Sequence, residues 1–286
     1  MADTPQGEIQ HNNRKIENET LNVERRLYFP TYDQIFPLWI CEESICEEFI
    51  RLFASNGLSV KLVSKPKSEH IVNIEKSIRG IRFDAVAETG SDKELQDYHI
   101  YCIDSQRVFM KESYIDRALY YGCVAVATKS LKAKESFDKL RPVTIIFIYI
   151  DNTASTKPID IINIYKRSDI EAKGDKALPH TSKLNFVDIN LNNKANLEIS
   201  APLDADVRAF MDIMSIGDDG HLVELILKDP ALSDSTRKAI EVFRKLMQDK
   251  IKKMPIDESK YTSYMDKVLR NEACQQPATL KGRGLQ

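Results

Sequence analysis

Asp84, Asp104 and Gln106 lie in a segment, Arg82–Arg107, that reads as two strands joined by a polar turn. Asp84 lies on the first strand, and Asp104 and Gln106 lie on the second. Residues two apart on a strand point to the same face, so Asp104 and Gln106 share a face. Paired positions of an antiparallel hairpin have a constant sum, and positions 84 and 104 sum to 188. This register centres the turn on residue 94 and allows the two acids to lie opposite each other.

A pair of carboxylates in that register suits a divalent cation. Two like charges held close repel unless a positive charge lies between them or one of them is protonated. Mg²⁺ prefers oxygen ligands and takes one or two protein carboxylates together with waters and a substrate phosphate. A bound ion lowers the pKa of a bound water and stabilises charge on a phosphate in transfer. The alternative is that Asp84 and Asp104 are unrelated surface acids, and their spacing by itself favours that alternative.

The elements that must position these residues follow from hydrophobic periodicity and from turn and cap residues. Strands are predicted at 58–64, 81–88, 98–104, 143–150, 159–166 and 184–191. The run 143–150 is apolar throughout, which is typical of a central strand covered on both faces. A first helix is predicted around Ile45, Phe49, Leu52 and Phe53, with Asn56-Gly57 as its C-cap. A second is predicted at 113–131, with Ser113 as its N-cap. The chain is predicted to be helical from Leu203 onward, including a helix at 233–254 with Ser233 or Ser235 as its N-cap and Pro255 as its stop. The fold class is therefore α/β or α+β with a helical C-terminal region.

Composition narrows the class of protein. The chain has 286 residues and a formal net charge of -2, so contact with nucleic acid would have to come from a local basic patch. Five cysteines without a CxxC pair favour reduced thiols over a zinc site. Residues 1–26 are predicted to be a polar, flexible tail without the apolar segment of a signal peptide. The longest apolar run is too short to span a membrane, so a cytoplasmic protein without membrane contact is expected.

Four segments follow one another between Tyr32 and Leu191. They are YDQIF (32–36), GIRFDAVAE (80–88), YCIDSQR (101–107), and DRALYYG (116–122) followed by FDKLRPVTIIFI (137–148). In this order and spacing they resemble the motifs of the PD-(D/E)XK nuclease-like transposases, also called recombination-promoting nucleases. Those motifs are an opening Asp-x-x-Phe, an Arg-x-Asp strand, a Tyr-x-Ile-Glu-x-Gln strand, and an Arg-x-x-Tyr-Tyr helix with a Leu-x-Pro-Val strand after it.

The resemblance implies a fold, an activity and roles for particular residues. The fold would be a restriction-endonuclease-like mixed sheet flanked by helices over residues 27–200, followed by a helical region over 201–286. The activity would be that of a Mg²⁺- or Mn²⁺-dependent DNA endonuclease associated with mobile elements or recombination. Asp84 and Asp104 would hold the metal, Gln106 would align the attacking water, and Arg117 would hold the scissile phosphate. Gln106 stands where many relatives carry Lys, and an amide can position a water but brings no charge.

The sequence departs from the family pattern in ways that favour a second hypothesis. Asp104 stands where the family has Glu, and Pro37 and Trp39 stand where it tends to have Lys and a Phe-Gly pair. These departures bear on activity more than on fold. The alternative function is that of a catalytically inactive protein that binds DNA or a protein partner through the same scaffold.

Further candidate residues surround this core set. Of four acids in the first helix, Glu47 is the one chosen as a possible additional metal ligand, and a solvated helix face is the alternative. Arg117 could instead pack on Tyr120 and Tyr121 or pair with Asp116, since these residues are neighbours on a helix. The basic residues proposed to contact DNA are Lys129, Lys132, Lys245 and Lys252, although a solvated charged face is equally common.

Other chemistries are not indicated. His99 is predicted to be a packed strand residue rather than a ligand. No Gly-rich phosphate loop or GxSxG motif occurs, so neither a nucleotide cofactor nor a serine nucleophile is expected. A homodimer is possible.

Overall fold

A computed structural model describes residues 31, 34–55, 57–71, 81–91, 94–108, 114–151, 159–163, 183–191, 203–216 and 220–249. Outside these residues lie the predicted tail 1–26, the predicted N-cap Ser113, the predicted helix stop Pro255 and the DNA-contact candidate Lys252. None of the helices described is both long enough and apolar enough to cross a membrane.

The described chain forms one mixed sheet flanked by helices. Its strands are β1 (Lys67–Ile71), β2 (Ile81–Ser91), β3 (Glu94–Val108), β4 (Val143–Asp151), β5 (Ile159–Asn163) and β6 (Leu184–Asn190). They lie in the order β1-β2-β3-β4-β6-β5. Neighbours are antiparallel from β1 to β3 and from β6 to β5, whereas β4 runs parallel to both β3 and β6. The prediction of a central strand at 143–150 is confirmed, since every residue from Val143 to Tyr149 is buried.

Helices cover both faces of the sheet. They are α1 (Phe36–Ile40), α2 (Glu43–Phe53), α3 (Tyr114–Ala125), α4 (Leu203–Ile216), α5 (Gly220–Leu227) and α6 (Asp234–Asp249), and a π-helical turn, Val126–Ser130, continues α3. The four apolar positions predicted to mark the first helix are all buried in α2. The helix ends earlier than the predicted C-cap, since its C-cap is Ala54; Gly57 closes the turn that follows, with a φ of 81° and its N–H donated to the Arg51 carbonyl at 2.9 Å. Asn56 lies outside the described residues.

The strand predicted at 58–64 is wrong. Only Leu62 pairs there, as an isolated bridge to Thr89 of β2. The alternating pattern of LSVKLVS is compatible with a strand, but β1 occupies most of that edge of β2, from Ile81 to Val86. Local propensity therefore yields to the pairing that a neighbouring segment makes.

The two faces of the sheet have separate hydrophobic cores. On one face α3 packs over Phe83, Phe147 and Phe186. On the other face α1, α2 and the three C-terminal helices share a single core. In that core the Trp39 ring makes an edge-on contact with the Phe243 ring of α6, with centroids 5.4 Å apart. The described part of the predicted C-terminal region is therefore helical and packs directly on the sheet domain.

A buried ionic network joins α2 to α4 and α6. The Arg51 guanidinium donates to both carboxylate oxygens of Glu48, at 2.6 and 2.7 Å, and to Oδ2 of Asp206 at 2.9 Å. Glu48 also accepts a hydrogen bond from the Thr236 hydroxyl, and Oδ1 of Asp206 accepts the Ser233 N–H at 2.9 Å. Ser233 in turn caps α6 by accepting the Thr236 N–H, as one of the two predicted caps. Each carboxylate thus has a cation and further donors around it.

Replacing Arg51 should destabilise the protein strongly. The side chains of Glu48 and Asp206 are only 5% and 3% exposed, so Arg51→Met would leave two buried carboxylates without their cation. Losing one member of a buried ionic group costs about 3–5 kcal/mol. Arg244→Met is the matched control, because its pair with Glu224 is 33% and 48% exposed and should contribute less than about 1 kcal/mol. Urea unfolding measures both values, and equal losses in the two variants would contradict the assignment.

His99 is a packed strand residue, as predicted. Its Nε2 lies 2.6 Å from the Thr144 hydroxyl, and its ring stacks on Tyr101 with centroids 4.3 Å apart. Burial, with a smaller contribution from the charge of Lys183, lowers the pKa of His99 to about 4. The imidazole is therefore neutral in the folded protein at pH values where an unfolded chain would protonate it.

This difference predicts a loss of stability in mild acid. Between about pH 6.5 and 4 the unfolded chain binds a proton at His99 that the folded chain does not bind. The contribution is complete above pH 6.5, and up to about 3 kcal/mol is lost as the pH falls to 4. His99→Gln keeps a hydrogen-bonding partner for Thr144 but cannot titrate. Its unfolding free energy, measured by urea titration at several pH values, should fall less steeply over this interval; identical slopes would show that His99 is not responsible.

Candidate functional site

The hairpin adopts the predicted register. Pairs from Ala85↔Ile103 to Thr89↔His99 all have the sum of 188. The pairing stops at Ala85, so the predicted pairing of Asp84 with Asp104 is not observed. The predicted long polar turn is wrong in extent, because β2 continues to Ser91 and β3 begins at Glu94, after a shift in register beyond Thr89. Polar composition indicated a turn there, but pairing between the two strands extends them.

A β-bulge lies across Asp84. Phe83 belongs to the core under α3, whereas Ala85, two residues on, belongs to the core under α2. Residues two apart on a regular strand would share a face, so the alternation breaks at Asp84. Pairing with β1 shows the same break. The two-residue step from Lys67 to Glu69 on β1 is matched by a three-residue step on β2, from Val86 to Phe83. Bulges redirect side chains and are common beside active sites.

Asp84 is held by the backbone of the neighbouring strand and by the α1–α2 junction. It is 8% exposed, and its Oδ2 accepts the backbone N–H of Ser105 at 2.9 Å. The Cys41 thiol lies 3.6 Å from the Asp84 carbonyl. Burial, and then the charge of Asp84, raises the pKa of Cys41 to about 11, so this thiol is protonated at neutral pH. The Ser105 hydroxyl donates to the Thr31 carbonyl at 3.1 Å, which fixes the strand beneath the acid.

Asp104 faces the α3 side and has a different set of partners. Its Oδ2 accepts a hydrogen bond from the Gln106 side-chain amide, and Nη2 of Arg117 lies 3.8 Å from the same oxygen. Asp104 is 6% exposed and Gln106 is 8% exposed, so both are nearly buried. Arg117 thus places a positive charge near Asp104. This charge stabilises a carboxylate that is nearly buried at this position.

Arg117 is positioned by the aromatic residue one turn later on α3. Its guanidinium lies over the Tyr121 ring, 5.1 Å from the centroid, and Nη2 donates to the Tyr121 hydroxyl at 3.1 Å. The Tyr121 ring packs edge-on against Phe83, with centroids 5.4 Å apart. The predicted packing of Arg117 on a tyrosine is therefore confirmed, and the acid that it approaches is Asp104. The Arg117 side chain is 41% exposed, so it also reaches solvent.

Two carboxylates meet the minimum that Mg²⁺ requires of a protein, since water and phosphate supply its remaining oxygens. An ion on Oδ2 of Asp104 would have to displace the Gln106 amide from that oxygen. Within the described residues, no three His, Cys, Asp or Glu side chains converge in a way that could hold a metal.

The first-helix acid selected from the sequence has another partner. Oε1 of Glu47 accepts the backbone N–H of Leu62 at 2.9 Å, so it fixes the segment after α2. Its neighbour Glu48 belongs to the Arg51 network. The described structure therefore places Gln106 and Arg117 at Asp104, holds Asp84 through the Ser105 N–H, and gives Glu47 a separate partner.

The proposed DNA-contact lysines lie on different sides of the sheet. Lys129 is in the π-helical turn and Lys132 is exposed just after it, both following α3. Lys245 is exposed on α6, which packs on the opposite face. A single straight duplex along α3 would therefore meet the first two lysines and not the third. The sequence could not indicate this separation, because it depends on which face each helix covers.

Sequence reasoning missed three residues that shape the site. Ser105, Thr31 and Cys41 fix Asp84 and its strand through backbone groups. The sequence could have indicated Ser105, because this residue lies between the two candidate residues Asp104 and Gln106. Thr31 and Cys41 approach only through tertiary packing.

Comparison with known proteins adds no relative. No protein-family model, no curated protein and no solved structure matches this chain. The likeness to PD-(D/E)XK nucleases therefore stays a resemblance of motifs. The structure itself shows a mixed α/β fold in which neighbouring strands carry Asp84 at a bulge and Asp104 beside Gln106 and Arg117.

Proposed function

We propose that this protein is a divalent-metal-dependent DNA endonuclease with a restriction-endonuclease-like fold, associated with mobile elements or recombination. One observation carries the proposal: the β2–β3 register brings Asp84 and Asp104 to the same end of the hairpin, with Gln106 and Arg117 beside Asp104. The order of elements supports it, since α2 precedes the antiparallel strands that carry the acids, and α3 then leads to the parallel β4.

Each of these residues would have a separate role in phosphodiester hydrolysis. Asp84 and Asp104 would hold Mg²⁺ or Mn²⁺, which lowers the pKa of a bound water and offsets charge on the phosphate. Gln106, released from Asp104, would orient the attacking water through its amide. The half-exposed Arg117 guanidinium would bind non-bridging phosphate oxygens. The water oxygen then bonds to phosphorus, one bridging P–O bond breaks, and the leaving oxygen takes up a proton.

The second candidate is a non-catalytic protein that binds DNA or a protein partner. A specific observation favours it: Oδ2 of Asp104 already accepts the Gln106 amide and lies near Arg117. These contacts satisfy the carboxylate without any ion. A scaffold that has lost catalysis would retain such internal pairing and its exposed lysines.

A plasmid-nicking assay with Mg²⁺, Mn²⁺ or EDTA tests the proposal. Asp84→Asn is the informative variant, because an amide oxygen can still accept the Ser105 N–H while the charge is lost. We expect cleavage to require the metal and to fall by about 10²-fold or more in this variant, as for loss of one electrostatic group in an active site. Glu88→Gln is the matched control, since Glu88 is an exposed acid on the same strand and should leave cleavage unchanged.

The possible results separate the two candidates. Cleavage that persists in Asp84→Asn, or in EDTA, would contradict the assigned site. Wild-type protein that binds DNA but cleaves none with either ion would favour the non-catalytic candidate. Thermal melting of each variant shows whether a loss of cleavage follows from a loss of folding.

A further inference from the structure

Residues 131–140 form a compact loop, called here the Ω-loop, between the π-helical turn and β4. Its two ends are tied together: the Arg141 N–H donates to the Ser130 carbonyl at 3.0 Å, and the Ser130 hydroxyl donates to the Arg141 carbonyl. Loops of this length with adjoining ends are frequently functional. The turn that leads into it is π-helical, a form that also occurs often at functional sites.

Glu135 fixes the interior of the Ω-loop. Its Oε2 accepts the Lys132 backbone N–H at 2.6 Å, and Nη2 of Arg141 donates to both of its carboxylate oxygens at 3.0 and 3.2 Å. The Lys132 N–H, and then the Arg141 charge, lower the pKa of Glu135. Arg141 is itself only 7% exposed. The carboxylate therefore serves the loop's own structure, and its charge is balanced by Arg141.

The exposed residues of the Ω-loop include an aromatic ring and several lysines. Phe137 is 85% exposed, the highest value among the large apolar residues described as exposed. Lys132, Lys134 and Lys139 are also exposed, and the remaining acid of the loop sequence is Asp138. Lys134 has a φ of 70°, a conformation that is uncommon for a residue with a side chain and that is found at functional sites.

We propose that the Ω-loop binds single-stranded DNA, with Phe137 stacking on an unpaired base and the surrounding lysines contacting phosphates. Aromatic rings within a basic surface bind single strands in this way, because every base offers a face for stacking and every nucleotide carries a phosphate. The inference rests on DNA being the ligand, as in the proposed function. It adds that the protein engages an unpaired segment, such as a strand end, a bubble or a displaced strand.

The placement of the loop is compatible with a strand that also reaches the candidate site. Arg117 lies near the start of α3, and Ser130 ends the π-helical turn that continues it. At about 1.5 Å per residue, that distance is about 20 Å. Even at the rise of about 3.4 Å per nucleotide that one strand has in a DNA duplex, about six nucleotides would cover it. An oligonucleotide of about 12 residues is therefore long enough to extend from Arg117 past the start of the Ω-loop.

Binding of a labelled oligo(dT) of about 12 nucleotides to the full chain tests the inference. Fluorescence anisotropy in EDTA measures the Kd without cleavage. Phe137→Ala should weaken binding by about five- to a hundredfold, and Phe137→Leu, which stays apolar but loses the aromatic face, should weaken it similarly. Leu225→Ala is the matched control, since Leu225 is an apolar residue of α5 that is 51% exposed, and its affinity should be unchanged.

Phe137→Trp gives a second, direct measurement. The sequence contains one tryptophan, Trp39, which is 1% exposed, so a change of emission on adding DNA would report residue 137. We expect quenching at saturating oligo(dT). Because Phe137 is exposed, these variants should keep the wild-type melting temperature.

Three results would overturn the inference: wild-type affinity in Phe137→Ala, wild-type affinity in Phe137→Leu, or unchanged emission of Phe137→Trp with bound DNA. Failure of the proposed function gives a different pattern. A protein that binds oligo(dT) through Phe137 but cleaves no plasmid keeps the binding role and loses the nuclease role. A protein that cleaves plasmid while Phe137→Ala binds normally shows the reverse.

Discussion

The position of α2 depends on the Arg51 guanidinium. Its two carboxylate partners are nearly buried, and each would cost several kcal/mol to desolvate if it were not compensated. Because one partner lies on α2 and the other on α4, the ion group fixes the C-terminal helices against the sheet domain. The other end of α2 begins at the α1–α2 junction, where the Cys41 thiol meets the Asp84 carbonyl. The candidate site is thus supported from a distance by an interaction in which none of its own side chains takes part.

The two acids of the site belong to different surroundings although they lie on adjacent strands. Asp84 is satisfied by the backbone of β3 beneath the α1–α2 junction, whereas Asp104 meets the side chains of Gln106 and Arg117 under α3. A cation that binds both acids must therefore compete with Arg117 for Asp104. The Arg117 side chain is 41% exposed, so a phosphate could reach it from solvent and would give the displaced guanidinium a new partner.

The sequence was sufficient for those features that depend on periodicity. The central strand 143–150, the helical face marked by Ile45 and Phe49, and the hairpin register all follow from residue spacing. It was insufficient where two segments compete for one partner, as in the strand wrongly expected at 58–64. The bulge at Asp84 could not be predicted either, because it appears only when β1 and β3 pair with β2 from both sides.

The partners of the acidic side chains could not be predicted from the sequence for the same reason. Four acids in the first helix were indistinguishable by composition, yet Glu47 binds the Leu62 N–H and Glu48 binds Arg51. Which acid is buried depends on α4 and α6, which lie more than 150 residues further along the chain. The fold class was therefore easier to predict than the partners of individual side chains.

Gly122 of α3 sets how closely that helix approaches the sheet. A Cβ at this position would lie 2.8 Å from the Phe186 ring and 2.9 Å from Leu184, closer than real side chains come. A methyl group there would require the ends of the Phe186 and Leu184 side chains to shift, or α3 to move away from the strands. Arg117 lies five residues earlier on α3, so any such movement of the helix would widen its gap to Asp104. An uncharged position without a side chain thus bears on how closely two charges approach each other.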